Sequence, residues 1–224
     1  MSSSVRPYRG VEAADRLAER RRRLLAAGLD LLGAERQDLS VLTVRGVCQR
    51  AGLAARYFYE SFSDRDEFVG NVFDWVVAEL ATTTQAAVAA APARERPRAG
   101  LANIVRTISN DTRIGRLLFS TQLADAIIMR KRAESSALFA ILSGHYAVGA
   151  LRRPANDRLK AGTHFAVGGV GQAISAWLAG DVRLEPDQLV DQLASLLNKL
   201  ADPNLYGLTG KAAAATAIPR DPGV

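Results

Sequence analysis

The stretch Thr43–Phe68, TVRGVCQRAGLAARYFYESFSDRDEF, decides the fold of this chain of 224 residues. Thr43 is a good N-cap residue, and the sequence after it predicts a short helix over 44–50. Gly52 breaks that helix, and a second short helix is predicted over 54–61. Two short helices joined by a tight, glycine-containing turn form a helix-turn-helix, which is a DNA-reading unit.

In such a unit the second short helix enters the major groove, so its outward side chains must suit DNA. Ala54 and Ala55 are small enough to allow close approach to the base edges. Arg56 can donate two hydrogen bonds to one guanine, and tyrosine hydroxyls can donate to phosphate. Thr43 and the backbone N–H groups behind it can also meet phosphate, because they form a helix N-terminus. The pattern therefore predicts a DNA-binding surface.

The same stretch resembles the DNA-binding domain of the tetracycline-repressor (TetR) family, over about residues 17–75. The shared elements are Thr43-Val44, Ala51-Gly52-Leu53, Tyr59 with Phe62, and Arg65-Asp66-Glu67. The resemblance implies that Arg65, where the family has Lys, contacts phosphate. It departs at Ala54, where the family has Ser or Thr, and losing that cap costs about 1 kcal/mol if nothing replaces it.

Spacing and resemblance together give one set of candidate DNA-binding residues: Thr43, Val44, Arg45, Ala54, Ala55, Arg56, Tyr57, Tyr59 and Arg65. Several members have a structural alternative. Tyr59 could pack at the edge of a small core, Arg56 could be an ordinary solvated arginine, and Arg65 could be only a helix-start charge. The run Arg20–Arg23 cannot face DNA as a whole, because helical residues fan out by ~100° each.

The whole chain is predicted to be all-α, with a three-helix DNA-binding head and a larger helical body. The domains are a flexible basic arm (1–12), a helix-turn-helix domain (13–66), a ligand-sensing and dimerisation domain (67–206) and a disordered tail (207–224). Nine helices are predicted, over 13–33, 44–50, 54–61, 64–90, 98–110, 111–121, 125–149, 156–179 and 186–201.

The body helices carry bulky side chains that could line an apolar cavity. The candidate pocket residues are Trp75, Phe119, Met129, Phe139 and Phe165. The alternative is that these side chains are ordinary core residues. His145 and His164 are the only histidines, and no further ligand cluster stands at metal-binding spacing, so no metal or other cofactor is predicted. No catalytic constellation is apparent either, and Cys48 is interpreted as a small core residue.

The segment Phe165–Trp177 is rich in glycine and alanine, which are small enough to allow close helix–helix contact. The last helix carries leucines on one face. In the TetR family the last two helices form a four-helix dimer interface, which implies the same role here. The candidate interface residues are Gly168, Gly169, Gln172, Ala173, Ala176, Trp177, Leu189, Leu193, Leu196, Leu197 and Leu200. Alternatively, they close the monomer's own core.

Composition agrees with a DNA-binding protein, since the formal net charge is +6 and arginine carries most of the positive charge. An arginine-rich proteome is an equally good explanation of the total. A single cysteine and the lack of any run of ~18 apolar residues predict a cytoplasmic chain with no membrane partner.

The expected function is a homodimeric regulator, by resemblance a repressor, that binds double-stranded DNA at a near-palindromic operator and is released by an apolar small molecule. The alternatives are a DNA-binding regulator without ligand control and a helical adaptor or enzyme. The adaptor or enzyme is the less favoured alternative, and no enzymatic activity is predicted.

Overall fold

The computed structural model describes residues 8–35, 40, 42–151 and 156–206. Its α-helices in these ranges are α1 (Tyr8–Leu32), α2 (Val44–Ala51), α3 (Ala55–Tyr59), α4 (Arg65–Ala90), α5 (Arg96–Asn110), α6 (Thr112–Phe119), α7 (Ala126–Leu151), α8 (Asp157–Leu178) and α9 (Pro186–Leu200). A 3₁₀ turn, Pro203–Tyr206, follows α9. The predicted all-α fold is confirmed. None of these helices is long and apolar enough to cross a lipid bilayer.

The first helix is longer than predicted. It begins at Tyr8, so residues 8–12, which we assigned to a flexible arm, are helical. The physical reason is that Gly10 alone disfavours a helix there, by about 1 kcal/mol, and the good helix formers after it offset that cost. Residues 1–7 of the predicted arm and the whole predicted tail, 207–224, lie outside the described residues.

Local capping signals fix where several helices begin. The Thr43 hydroxyl accepts a hydrogen bond from the Gly46 amide at 3.0 Å, and an Asp64 carboxylate oxygen accepts from the Glu67 amide at 2.8 Å. The N-cap at Thr43 was predicted. Pro186 occupies the first position of α9, where proline is favourable because it has no N–H to leave unsatisfied.

We call α1–α3 the head, and α4 is the helix that connects the head to the body. A first hydrophobic core joins α1–α4 to the facing parts of α6 and α7. Its most deeply buried side chains come from all of these helices: Leu24, Leu32, Val47, Phe58, Phe68, Val69, Val72, Leu117 and Ile128. Gly28 brings α1 close to α4, since a Cβ there would lie 2.5 Å from Val72. The core thus extends well past residue 66, where we placed the domain boundary.

A second core lies among α5, α8 and α9. It contains Leu101, Val105, Ile108, Ile174, Leu189, Val190, Leu193 and Ala194. Ile114 and Phe119 of α6 pack against both cores. The short helix α6 therefore stands between the head and the rest of the body.

Candidate nucleic-acid interface

The N-terminus of α2 presents a hydroxyl group and a cationic side chain at the surface. Thr43 is exposed, and its hydroxyl, which accepts from Gly46, still has a hydrogen to donate. Arg45 is also exposed. Val44, by contrast, packs half-buried against the first core, so it anchors α2 while its neighbours face outward. Cys48 lies in this core as predicted, and burial raises the pKa of its thiol.

The turn between α2 and α3 is fixed by its backbone and by α1. Gly52 has a φ of 64°, which is a left-handed conformation that favours glycine. The Leu53 amide donates to the Cys48 carbonyl at 2.9 Å and closes the turn. From α1, the Arg23 guanidinium donates to the Ala51 carbonyl at 2.6 Å. One arginine of the basic run thus holds the end of α2.

Helix α3 is anchored on one side by aromatic rings and exposed on the other. Phe58 is 1% exposed, and its ring centroid lies 5.4 Å from Phe62 and 5.2 Å from Phe68. The adjacent Tyr59 is 62% exposed and only touches the edge of Phe58. Ala54 makes no side-chain cap, as its sequence implied. The anchor orients α3 so that Ala54, Ala55, Arg56 and Tyr59 face outward.

Tyr57 lies between two guanidinium groups. Arg20 of α1 lies over its ring at 4.5 Å, and Arg56 lies over the ring at 4.7 Å. Arg56 also donates to the Tyr57 hydroxyl at 2.7 Å. Arg20 in turn reaches Glu60 at 3.3 Å, so α1 contacts the middle and the C-terminal end of α3. This stack holds Arg56 beside the outward face of α3, with its guanidinium exposed.

The other arginines of the basic run point in different directions. Arg21 donates to the Asn71 side chain of α4 at 2.5 Å and lies over the Phe62 ring. Arg22 is exposed and pairs with Glu19 on its own helix. The run therefore fans out as the helical geometry requires, and most of it holds the head together.

The start of α4 carries the acidic side chains of Asp64, Asp66 and Glu67. Ser63 donates its amide and its hydroxyl to Glu67, which lowers the pKa of that carboxyl, chiefly through the hydroxyl. Arg65 is not directed to solvent alone: it donates to Asp66 at 2.8 Å and to the buried Asp125 at 2.6 Å. The phosphate contact expected of Arg65 is therefore replaced in this conformation by two carboxylates.

No protein-family model matches this chain, and no curated protein matches it in sequence. Solved structures do match. A TetR-family regulator from Rhodococcus sp. superposes with a TM-score of 0.67 at 14% identity, covering 83% of this chain and 100% of that one. One from Syntrophomonas wolfei gives 0.66 at 13% identity, covering 82% and 95%. FadR from Bacillus subtilis, in complex with stearoyl-CoA, gives 0.59 at 13% identity, covering 79% and 96%.

The chain has the TetR fold. The match spans nearly the whole of each compared structure, so head and body share the architecture. The resemblance noted on residues 17–75 thus extends, at the level of fold, to α5–α9.

The body of this TetR fold does not bring the five predicted pocket residues together. Trp75 and Phe119 are half-buried and pack against the first core. Met129, Phe139 and Phe165 are exposed, with Phe165 68% accessible. Because all three are exposed, they do not enclose a common cavity in the described monomer.

Two clefts are lined mostly by charged and polar residues. One, of about 550 Å³, lies between the start of α5 and α9 and is lined by Arg94, Glu95, Arg98, Asp191, Ala194, Ser195, Asn198 and Lys199. The other, of about 400 Å³, is lined by Asp64, Asp66, Glu67, Gly70, Asn71, Asp74, Ile127, Arg130 and Lys131. None of the predicted pocket residues lines either cleft.

The predicted dimer residues divide between two environments. Leu189 and Leu193 are 2% and 5% exposed in the second core, so they close the monomer's own core and are not available to a partner. Ala173, Trp177 and Leu197 also pack against that core. These leucines are buried because α5 covers the leucine face of α9.

The remaining predicted dimer residues are more accessible. Gly168, Gly169 and Gln172 are exposed on one face of α8, with Ala176 and Leu200 half-buried and Leu196 exposed. A Cβ built on Gly168 or Gly169 would meet nothing within 4 Å. Phe165, which we had assigned to the pocket, lies on this same outward face, since it is three and seven residues before Gly168 and Gln172.

The sequence reasoning missed the contacts that join head and body. Asp30 of α1 pairs with Arg50 of α2 at 2.7 Å and also with Arg113 of α6. Asp125 is held by Arg65, as described above. Only Asp125 left a local signal, because it stands directly before the apolar run that opens α7 and so fits an N-cap.

Proposed function

We propose that this chain is a TetR-family transcriptional regulator that binds duplex DNA through α2 and α3 as a homodimer. The two recognition helices would enter successive major grooves of a near-palindromic operator, ~34–36 Å apart. The fold shared with TetR-family regulators supports this assignment. We propose repression, because occupying a promoter needs no further partner.

The outward face of α3 is the observation that carries the proposal. A buried phenylalanine, Phe58, fixes the helix, while Arg56 and Tyr59 stand exposed beside small alanines. Exposed aromatic and guanidinium groups on a helix with small neighbours suit a major groove, where Arg can read guanine through two hydrogen bonds. Arg45 and Thr43 at the start of α2 would contact the flanking phosphates.

Selection of bound sites from random duplex DNA tests the proposal, followed by mobility-shift titration of the selected site. We expect Arg56→Ala to weaken binding by roughly 5- to 150-fold, which corresponds to a lost bidentate base contact. Tyr59→Phe removes one phosphate donor and should weaken binding less. Arg130→Ala, an exposed arginine on α7, is the matched control and should change little. Unchanged binding by both α3 variants would refute the site.

For the dimer, we propose that the outward face of α8 meets its copy. Phe165, Gly168, Gly169 and Gln172 lie on it, and no described atom lies near a Cβ built on either glycine. Glycine in a helix costs about 1 kcal/mol relative to alanine, and close contact with a second helix would offset that cost. Leu196 of α9 is exposed and would extend the face.

Sedimentation analysis of Phe165→Glu tests the dimer face. We expect a monomer that has lost high-affinity operator binding, because one head alone reads half of the site. Ser136→Glu, an exposed position on α7, is the control and should remain dimeric. A wild-type chain that is monomeric at micromolar concentration, or a dimeric Phe165→Glu variant, would contradict the proposal.

For control by ligand, we propose an apolar small molecule that binds the body and tilts α4. The support is that a protein with this fold, FadR from Bacillus subtilis, was crystallised with stearoyl-CoA. A ligand shifts the balance of two shapes only through its differential affinity, and a change from 1:99 to 99:1 needs roughly 5.5 kcal/mol.

A regulator without small-molecule control is the second candidate. It is favoured by the charged and polar residues that make up most of the lining of both clefts, and by the exposure of three of the five predicted pocket residues. Thermal-shift screening against apolar compounds and acyl-CoA molecules separates the two. A compound that raises the melting temperature and releases the selected operator supports ligand control. If no compound stabilises the protein, the second candidate is supported.

A further inference from the structure

An ion pair joins Arg65, in the first turn of α4, to Asp125, the residue directly before α7. We call it the Arg65–Asp125 pair. The Arg65 guanidinium donates to Asp125 Oδ2 at 2.6 Å. Asp125 is 6% exposed, whereas the Arg65 side chain is 36% exposed. The pair therefore has a buried, fixed anion and a cation at the surface.

Asp125 is held in place by more than Arg65. Its other oxygen, Oδ1, accepts the amides of Ile127 at 2.9 Å and Ile128 at 3.2 Å, which makes it the N-cap of α7. Burial opposes ionisation of this carboxyl, but the bonds from Arg65 and from the two amides outweigh burial and lower its pKa. Asp125 is therefore a carboxylate at neutral pH, and α7 sets its position.

The Arg65–Asp125 pair changes what the start of α4 presents to a nucleic acid. Arg65 also donates to Asp66 at 2.8 Å, so two carboxylates neutralise one guanidinium. Asp64 and Glu67 add further negative charge within the same turn. A DNA backbone approaching α3 from this side would meet a net acidic surface, and like charges placed close together disfavour association.

We propose that Asp125 competes with DNA phosphate for Arg65, so that the body restrains DNA binding in the conformation described here. On an operator, Arg65 leaves Asp125 and donates to the backbone phosphate next to α3. Both partners are anionic acceptors for the same planar donor group, so the exchange replaces one charge-assisted pair with another. Any change in the body that moves the N-terminus of α7 away from α4 would release Arg65 and raise DNA affinity. This inference rests on the proposed DNA-binding function.

A double-mutant cycle on the full chain tests the competition, with the selected operator as the probe and salt titration as a second readout. Asp125→Asn keeps a cap oxygen for α7 but loses the charge that holds Arg65. We expect it to bind DNA roughly tenfold more tightly than wild type, the scale of one charged hydrogen bond. Arg65→Gln should bind DNA more weakly. It should also make the negative slope of log K against log[salt] shallower by about 0.9, which corresponds to the loss of one phosphate contact.

The cycle also predicts that Asp125→Asn has no effect on DNA affinity in the Arg65→Gln background, because nothing is left to release. Asp74→Asn is the matched control. It breaks the other ion pair between α4 and α7, Asp74 with Lys131 at 2.6 Å, but frees no cation of the head. We expect wild-type affinity for it. If Asp125→Asn folds poorly, Asp125→Ser provides the same test, since serine also caps helices.

Three results would overturn the inference. If Asp125→Asn leaves affinity unchanged or weakens it, the pair merely orients α4. Equal gains from Asp125→Asn and Asp74→Asn would point to a loosened joint, and an unchanged salt slope in Arg65→Gln would show that Arg65 reaches no phosphate. Each of these refutes the competition. A wild-type chain that selects no DNA sequence would refute the proposed function as well, whereas normal wild-type binding that Arg56→Ala abolishes leaves that function intact.

Discussion

Phe58 and Tyr59 are neighbours on α3, but one is buried and the other is exposed. Replacing each by alanine should therefore affect stability and DNA binding differently. Phe58 is 1% exposed in the first core, and Tyr59 is 62% exposed on the outward face. We expect Phe58→Ala to reduce the free energy of unfolding strongly and Tyr59→Ala to reduce it little. For DNA binding per folded molecule we expect Tyr59→Ala to have the direct effect.

The size of the stability effect follows from the contacts. The Phe58 ring packs against Phe62 and Phe68 with centroids 5.4 and 5.2 Å apart, so its removal leaves a cavity in an aromatic cluster. Deleting a buried phenylalanine ring costs about 3–5 kcal/mol. Tyr59 has one edge contact, with Phe58 at 5.5 Å, and losing an aromatic pair of this kind costs about 0.5–1.5 kcal/mol.

Urea unfolding followed by circular dichroism measures both variants, at one protein concentration because a dimer makes stability depend on it. The same core contains Leu117 of α6 and Ile128 of α7, so Phe58→Ala should shift the main transition and not only a local one. Equal losses of stability in the two variants would refute the reasoning, since they would mean that Tyr59 is packed and that α3 has no open face.

Three further substitutions test other parts of the structure. Asp111→Asn should cost less than about 1 kcal/mol at pH 7 in urea unfolding. The difference from wild type should start to shrink as the pH falls below about 4 and vanish once the pH is below the folded-state pKa of Asp111, which Arg113 lowers. Gly115→Ala should lower stability by about 1–3 kcal/mol despite better helix propensity, since its Cβ would lie 2.6 Å from Ile108. Gly169→Ala, with nothing within 4 Å, should instead stabilise the monomer by about 1 kcal/mol, and a loss measured at low concentration would show that this face is covered within the chain.

The head could be predicted from sequence because its signals are local. Thr43 caps α2 through a group three residues away, and Gly52 ends that helix in a conformation that few other residues adopt. The four-residue spacing of Phe58 and Phe62 fixes which side of α3 is buried. Each of these signals spans less than two helical turns, so the neighbouring sequence is enough to read it.

The body could not be predicted to the same depth, because its decisive contacts join distant residues. Arg65 and Asp125 are sixty positions apart, and no periodicity relates them. The leucines of α9 look alike in sequence, yet Leu193 faces the monomer's own core while Leu196 is exposed. An apolar stripe predicts that a helix face will be covered, but it does not indicate whether the same chain or a partner covers it.

Helix α6 suggests how a change in the body reaches the head. The Arg116 side chain of α6 donates to the Gly33 carbonyl, just after α1, at 3.2 Å, and Arg132 of α7 donates to the carbonyls of Arg116, Leu117 and Ser120 at 2.7–3.1 Å. Ile114 and Phe119 of α6 pack against both cores. Because close-packed interiors transmit displacement, a rearrangement of α5, α8 and α9 must move α6, and α6 cannot move without displacing either α1 or the start of α7. Asp125 stands at the start of α7. A displacement passed on by α6 would therefore act on the same contact between α4 and α7 that holds Arg65.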